Sequence, residues 1–152
     1  MRKFLKRRET TLALIIVGFI ILVSLRSPRF ATGSNMYDIL NDTAVLMLAS
    51  TAQFLILLTG GIDLSIPSTM AFTGMLVSML NIREPNLPIV VVLLITLAIG
   101  LALGAFNGIL VGALKIPPII ATLGTIAIYR ALVFVVSGGQ WVSAHEMSSI
   151  FV

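Results

Sequence analysis

The sequence predicts an all-α fold, a polytopic membrane bundle of about five transmembrane helices with its N-terminus in the cytoplasm. Three observations carry that prediction. Of the 152 residues, 58% are hydrophobic and 11% charged, against about 25% charged in an ordinary soluble domain, and the mean hydropathy is +1.09. Apolar runs approaching the ~20 residues of a membrane-crossing helix recur along the chain, split by short polar stretches. Five of the ten Lys and Arg residues lie in MRKFLKRR, directly before the first apolar run; under the positive-inside rule that end faces the cytoplasm. A net charge of +4 placed in this way points to membrane lipid and not to nucleic acid.

The elements follow in order. Residues 1–9 form the basic cytoplasmic N-terminus, and the first span runs from about Thr10 to Leu25. RSPRF after it offers no small-x-small cleavage site, so it reads as a span and not as a signal peptide. The polar stretch ATGSNMYDILND, with its turn and cap residues, separates it from a second span, Thr43 to Thr59, ended by Gly60 and Gly61. The third span, Ile66 to Leu80, is less hydrophobic and is followed by the polar turn NIREPNLP. The fourth runs from Pro88 to Leu114 and is closed by Lys115. The fifth, Pro117 to Val136, opens on a proline pair and ends at SGGQ. This threading puts Lys115 and the five N-terminal bases inside and Arg26, Arg29 and Arg83 outside, in the sense the positive-inside rule requires. Residues 137–152 then form an outer loop segment.

The fourth span carries GLALGAFNGILVG, with Gly100, Gly104, Gly108 and Gly112 four residues apart. Each costs a water-exposed helix roughly 0.8–1.0 kcal/mol against alanine. In lipid, however, a four-residue step of ~400° makes them a groove for close helix packing. The groove is either a static seam within one subunit or the face that meets a moving or pore-lining helix. Asn107 on the same span needs a polar partner away from lipid.

In LLTGGIDLSIPSTM, Asp63 lies between two spans. Asp63 or Ser65 can cap the third helix with Pro67 in its first turn; alternatively the chain is broken within the membrane and Asp63 lines the route of a polar solute. Arg130 falls inside the fifth span, where an unpaired charge costs about 2.5–3.5 kcal/mol. It either snorkels beside Tyr129 or contacts Asp38, Asp42, Glu146 or a solute hydroxyl. Thr122 and Thr125, flanking Gly124, either bond back to their own helix or face the path. In SGGQWVSAHEMS, Trp141 is an interface anchor or, with Gln140, an outer docking surface.

Several chemistries are excluded. With no cysteine and a single histidine, His145, no metal site is expected. G-x-x-x-x-G-K-[ST] is absent, as is a serine–histidine–acid arrangement, so the chain is not an enzyme and any driving ATP binds elsewhere.

TGGIDLS, GAFNGILVG followed by KIPPIIATLGT, then YRALVF and SGGQW resemble the membrane permeases of bacterial sugar ABC importers, of the ribose, xylose, rhamnose and autoinducer type. NDTAVLML and SGGQWVSAHEMS look most like the rhamnose-type members. The resemblance implies a dimeric permease in the inner membrane and a periplasmic sugar-binding protein that delivers a monosaccharide. It also implies a cytoplasmic ATPase that holds ATP and Mg; the permease chain itself binds no cofactor. It gives weight to Asp63 and Asn107 in the substrate path, with Thr122, Thr125 and Arg130 as further lining residues. Pro67 stands where such permeases usually have glycine, and Phe106 where leucine is common. Family chains are about twice this length and carry their ATPase-docking loop in the second half, so the chain is expected to be an N-terminal half. Two rivals remain: half of an ion-coupled secondary transporter, although the chain has no pair of buried carboxylates suited to one, and a non-transporting remnant.

Overall fold

A computed structural model describes residues 8–149 and 151. Five α-helices follow one another: α1 Arg8–Arg26, α2 Gly33–Leu58, α3 Ile66–Arg83, α4 Ile89–Gly108 and α5 Pro118–Ser137. A π-turn, Ile109–Ala113, extends α4, and a 3-10 turn, Ala144–Glu146, follows α5. The chain divides into two compact units, residues 1–50 and 51–152.

The first unit holds α1 and the first part of α2. Glu9 in the first turn of α1 and Arg26 in the last turn complement its dipole. Residues 1–7, most of the basic N-terminus, lie outside the described residues. α2 begins ten residues before the expected Thr43, because the polar stretch read as a connection is the start of the helix. Thr32 Oγ1 accepts the Asn35 N–H at 3.4 Å, an N-cap bond, and Asn35 Nδ2 ties back to Phe30 O at 2.8 Å. The cap residues were present; what they cap lies after them.

In the second unit α2 ends where the sequence places it. Gly60 adopts φ +81°, its N–H bonds Leu57 O and the Gly61 N–H bonds Ile56 O, the paired geometry of a Schellman cap. α3 then packs chiefly on α5 and next on α4. Its buried residues are Ser68, Phe72, Thr73, Val77 and Asn81, so its polar groups face neighbouring helices. That face costs it lipophilicity. Among the described residues four helices, α1, α2, α4 with its π-turn, and α5, are long and apolar enough to cross a membrane; α3, expected as a fifth, is not.

The fourth helix is not α-helical to Leu114. After Gly108 it widens into the π-turn, closed by Leu114 N–H to Ile109 O at 3.0 Å and Ile116 N–H to Leu110 O at 3.1 Å. Lys115 takes the left-handed φ of +58°, a conformation usually left to glycine. α5 starts at Pro118, in the first turn where a missing N–H costs little, and stops at Gly138 with φ +61°.

Cross-helix hydrogen bonds fix the directions. Leu64 N–H donates to Thr122 Oγ1 at 3.2 Å and Asn107 Nδ2 to Ser65 Oγ at 2.7 Å, so α3 and α5 begin side by side where α4 nears its end. At the other end of α3, Asn81 grips Ser148 twice: Nδ2 donates to its Oγ at 3.0 Å, and the Ser148 N–H donates to Asn81 Oδ1 at 2.8 Å.

Candidate functional site

Where α3 and α5 begin and α4 ends, a cavity of roughly 320 Å³ opens. Its walls include Asp63 and Gly61 from the α2–α3 break, Gly104, Asn107 and Gly108 from α4, and Thr122 from α5. Residues 59–65 are turn and irregular chain, so their backbone groups need partners from protein. From Ile89 to Asn107, α4 rises about 27 Å at ~1.5 Å per residue, and the π-turn carries it on past that point. The cavity therefore lies about two turns before Lys115, toward that end of a helix long enough to span a ~30 Å hydrocarbon core.

A chain of hydrogen bonds builds the wall. Asp63 Oδ1 accepts the Ser65 N–H at 2.7 Å and the Ser65 hydroxyl at 2.6 Å; Ser65 Oγ in turn accepts Asn107 Nδ2. Thr122 Oγ1 donates to Pro118 O at 2.8 Å while accepting Leu64 N–H. Ser65, Asn107 and Thr122 are buried, and Asn107 Oδ1 is buried with no partner. An unmet buried amide oxygen carries a standing cost of ~1–3 kcal/mol. Asp63, the only ionisable residue of the lining among the described residues, is half-buried.

The capping expectation at α3 needs correction. Ser65 sits at the N-cap position but makes no side-chain cap bond, because its hydroxyl is committed to Asp63 and Asn107. The Asp63 carboxylate closes an Asx turn onto Ser65 and reaches no N–H within the helix. Asp63 thus belongs to the break between α2 and α3 and lines the cavity.

The remaining residues singled out from sequence scatter. Thr125 is buried and donates back to Thr122 O at 3.2 Å, outside the cavity lining. Arg130 is exposed and makes no ion pair among the described residues. Its neighbour Tyr129 is no interface companion: it is 2% exposed, and its hydroxyl donates to Leu103 O at 2.9 Å, tying α5 to α4. Gly104 lines both this cavity and a larger apolar groove between α3 and α4, where Gly100 also lies. A Cβ built at Gly100, Gly104, Gly108 or Gly112 meets nothing within 4 Å, so no described residue of this chain fills the stripe. Gln140 and Trp141 line a cleft with Arg83 and Glu146, and Trp141 is 88% exposed.

Sequence reasoning missed the bridging role of Ser65 and the Asn81–Ser148 pair. The D-x-S spacing of an Asx turn signals the bond of Ser65 to Asp63, and nothing local signals its bond to Asn107. For the Asn81–Ser148 pair the only signal is an amide near the end of an apolar helix.

A break between two helices, a cavity with a few convergent polar groups beside it and three connected helices are features a membrane permease would need. The chain belongs to the permease family described as branched-chain amino acid transport system / permease component, whose family model matches residues 35–149. It is 34% identical over 143 residues to the autoinducer 2 import system permease protein LsrC of Salmonella typhi. It is 37% identical over 143 residues to the protein of that name from Enterobacter sp. (strain 638). Each match covers 93% of this chain and 41% of the relative, so the chain spans about two fifths of the length of these relatives. No solved structure matches it. The resemblance to importer permeases read from the motifs holds, and the chain is a multi-pass membrane protein of the inner membrane.

Proposed function

We propose that this chain is the N-terminal part of a permease subunit of an ATP-driven importer and that its cavity lies on the path of a small polyhydroxylated solute of monosaccharide type. The observation that carries the reading is the cavity itself: Asp63, Asn107 and Thr122, far apart in sequence, meet beside a break in the chain. Among the described residues the only ionisable one of its lining is an acid, which disfavours anionic solutes. The names of the similar proteins support a compound of the autoinducer 2 kind, and the SGGQWVSAHEMS and NDTAVLML motifs support rhamnose. Arg130 and Thr125 join the path only if helices move.

In this reading the chain does no covalent chemistry. A cytoplasmic ATPase holds ATP and Mg, a periplasmic binding protein delivers the solute to the side bearing Gln140 and Trp141, and a second permease subunit completes the pore. The test is to purify the tagged chain from its native membranes and assay ATP hydrolysis in the eluate. Co-purification of an ATP-hydrolysing subunit is the expected result. A stably inserted chain that brings down neither an ATPase nor a second permease subunit overturns the proposal and leaves the remnant reading.

A further inference from the structure

We propose that the cleft between the end of α3 and the segment after α5 binds the zwitterionic headgroup of an ethanolamine phospholipid, with Arg83 taking the phosphate and Glu146 the ammonium. The inference stands apart from the solute path and concerns the opposite end of α3 and α5.

Position comes first. α5 holds 20 residues, about 30 Å at ~1.5 Å per residue, which is the thickness of a hydrocarbon core. Residues after Ser137 therefore fall at headgroup level, and α3 ends beside them, since Asn81 is bonded to Ser148. The cleft there holds roughly 230 Å³, and its walls include Arg83, Gln140, Trp141 and Glu146. The exposed Trp141 ring suits that layer, where an indole keeps one side in apolar surroundings and its N–H in wet ones. On the last turn of α5, Phe134 and Val135 are also exposed, an apolar surface for acyl chains that a free phosphate ester would not use.

Charge comes second. The Arg83 guanidinium makes no hydrogen bond or ion pair among the described residues, and it shares the cleft with Glu146 without pairing to it. Glu84, the next residue along, does not line the cleft. Glu146 is half committed: its Oε2 accepts the Ser143 N–H at 2.7 Å, and Oε1 is left open on an exposed side chain. An unpaired cation and an open carboxylate oxygen in one cleft match a ligand that carries both charges, whereas a purely anionic headgroup meets Glu146 with the wrong sign. A choline headgroup carries the same two charges, but its methylated nitrogen has no hydrogen to donate, so Glu146 selects ethanolamine.

Trp141 is the only tryptophan of the chain and lines the cleft, so its fluorescence reports occupancy there. The full 152-residue chain in detergent micelles is titrated with phosphatidylethanolamine or phosphatidylcholine brominated near the carbonyl end of the acyl chains, and quenching is followed against lipid mole fraction. Native chain is expected to be half-quenched at about fivefold less phosphatidylethanolamine than phosphatidylcholine, the upper end for an exposed ionic contact, with N-methylated ethanolamine lipids between them. Glu146→Gln keeps the Ser143 bond through its amide oxygen and turns a donor to the cleft; the two lipids then quench within about twofold of each other. Arg83→Gln weakens both by up to about fivefold and keeps their ratio, because both carry the phosphate. Far-ultraviolet circular dichroism checks that each variant keeps its helices. Equal quenching of native chain by the two lipids, stronger quenching by phosphatidylglycerol, quenching indifferent to Arg83→Gln, or a preference that survives Glu146→Gln overturns the inference and leaves the cleft to a protein partner on that side.

Discussion

Asn107→Leu separates stability from function because the two effects have opposite signs. The substitution removes the Nδ2 bond to Ser65 Oγ, a loss of about 1 kcal/mol, and removes the buried unmet oxygen, a gain of about 1–3 kcal/mol. Leucine keeps the branching at Cγ with bulkier methyl ends, at a position 6% exposed that borders the cavity into which they can shift. Ser65 keeps its bonds to Asp63, so no new donor is orphaned. The sum is a chain as stable as the native one or more stable by up to about 2 kcal/mol. Unfolding in detergent followed by far-ultraviolet circular dichroism measures that side, and uptake by membranes carrying the assembled transporter measures the other. The expected outcome is unchanged or raised stability at normal membrane levels, with uptake impaired. A loss of more than about 2 kcal/mol with uptake intact would show Asn107 to be a structural amide and refute the reasoning.

The glycines at the α2 end should part company. Gly60→Ala places a side chain at φ +81° and should cost about 1–2 kcal/mol, whereas a Cβ at Gly61 makes ordinary contacts of 3.5–3.6 Å with Ile56 and Pro118 and leaves the melting midpoint unmoved. Lys115→Gly relieves the left-handed backbone and should raise the midpoint, with Lys115→Val lowering it. Alanine at Gly100 or Gly112 should stabilise the isolated chain by up to about 1 kcal/mol; if the stripe is a seam with another subunit, pull-down of that subunit drops while the chain stays folded, and undiminished pull-down rules the seam out. Asn81→Ala removes both bonds to Ser148, so hydrogen exchange at the Ser148 amide should accelerate at least about tenfold; an unchanged rate would mean that something else holds the segment.

What could be read from sequence follows from which signals are local. The ends of α1 and α5 fell within two residues of expectation, because apolar length and flanking charge, proline or glycine are properties of the stretch itself. Gly60 likewise announces its turn. The start of α2 was misplaced since cap residues look the same whether a helix begins among them or after them. The low hydropathy of α3 was visible; its cause, Ser68, Thr73 and Asn81 turned toward other helices, needed the tertiary arrangement. At the site, Asp63 and Asn107 were legible as polar residues beside or within apolar runs. That a serine two residues on joins them was not, for no pattern within one helix reports a bond across forty-two positions.

The buried polar face of α3 also bears on how the chain enters the membrane. A segment leaving the ribosome is partitioned into lipid largely by its own apolarity, and α3, alone of the five helices, falls short. Its insertion must wait for the strongly apolar α4, with which it forms a hairpin across residues 84–88. A full-length chain whose α4 is replaced by a polar segment of equal length should leave a glycan acceptor placed in that turn unmodified on the lumenal side of microsomes, and the native chain should carry it. Modification without α4 would show that α3 integrates unaided. The groups that build the cavity wall thus make the middle of this chain depend, during synthesis, on residues not yet made.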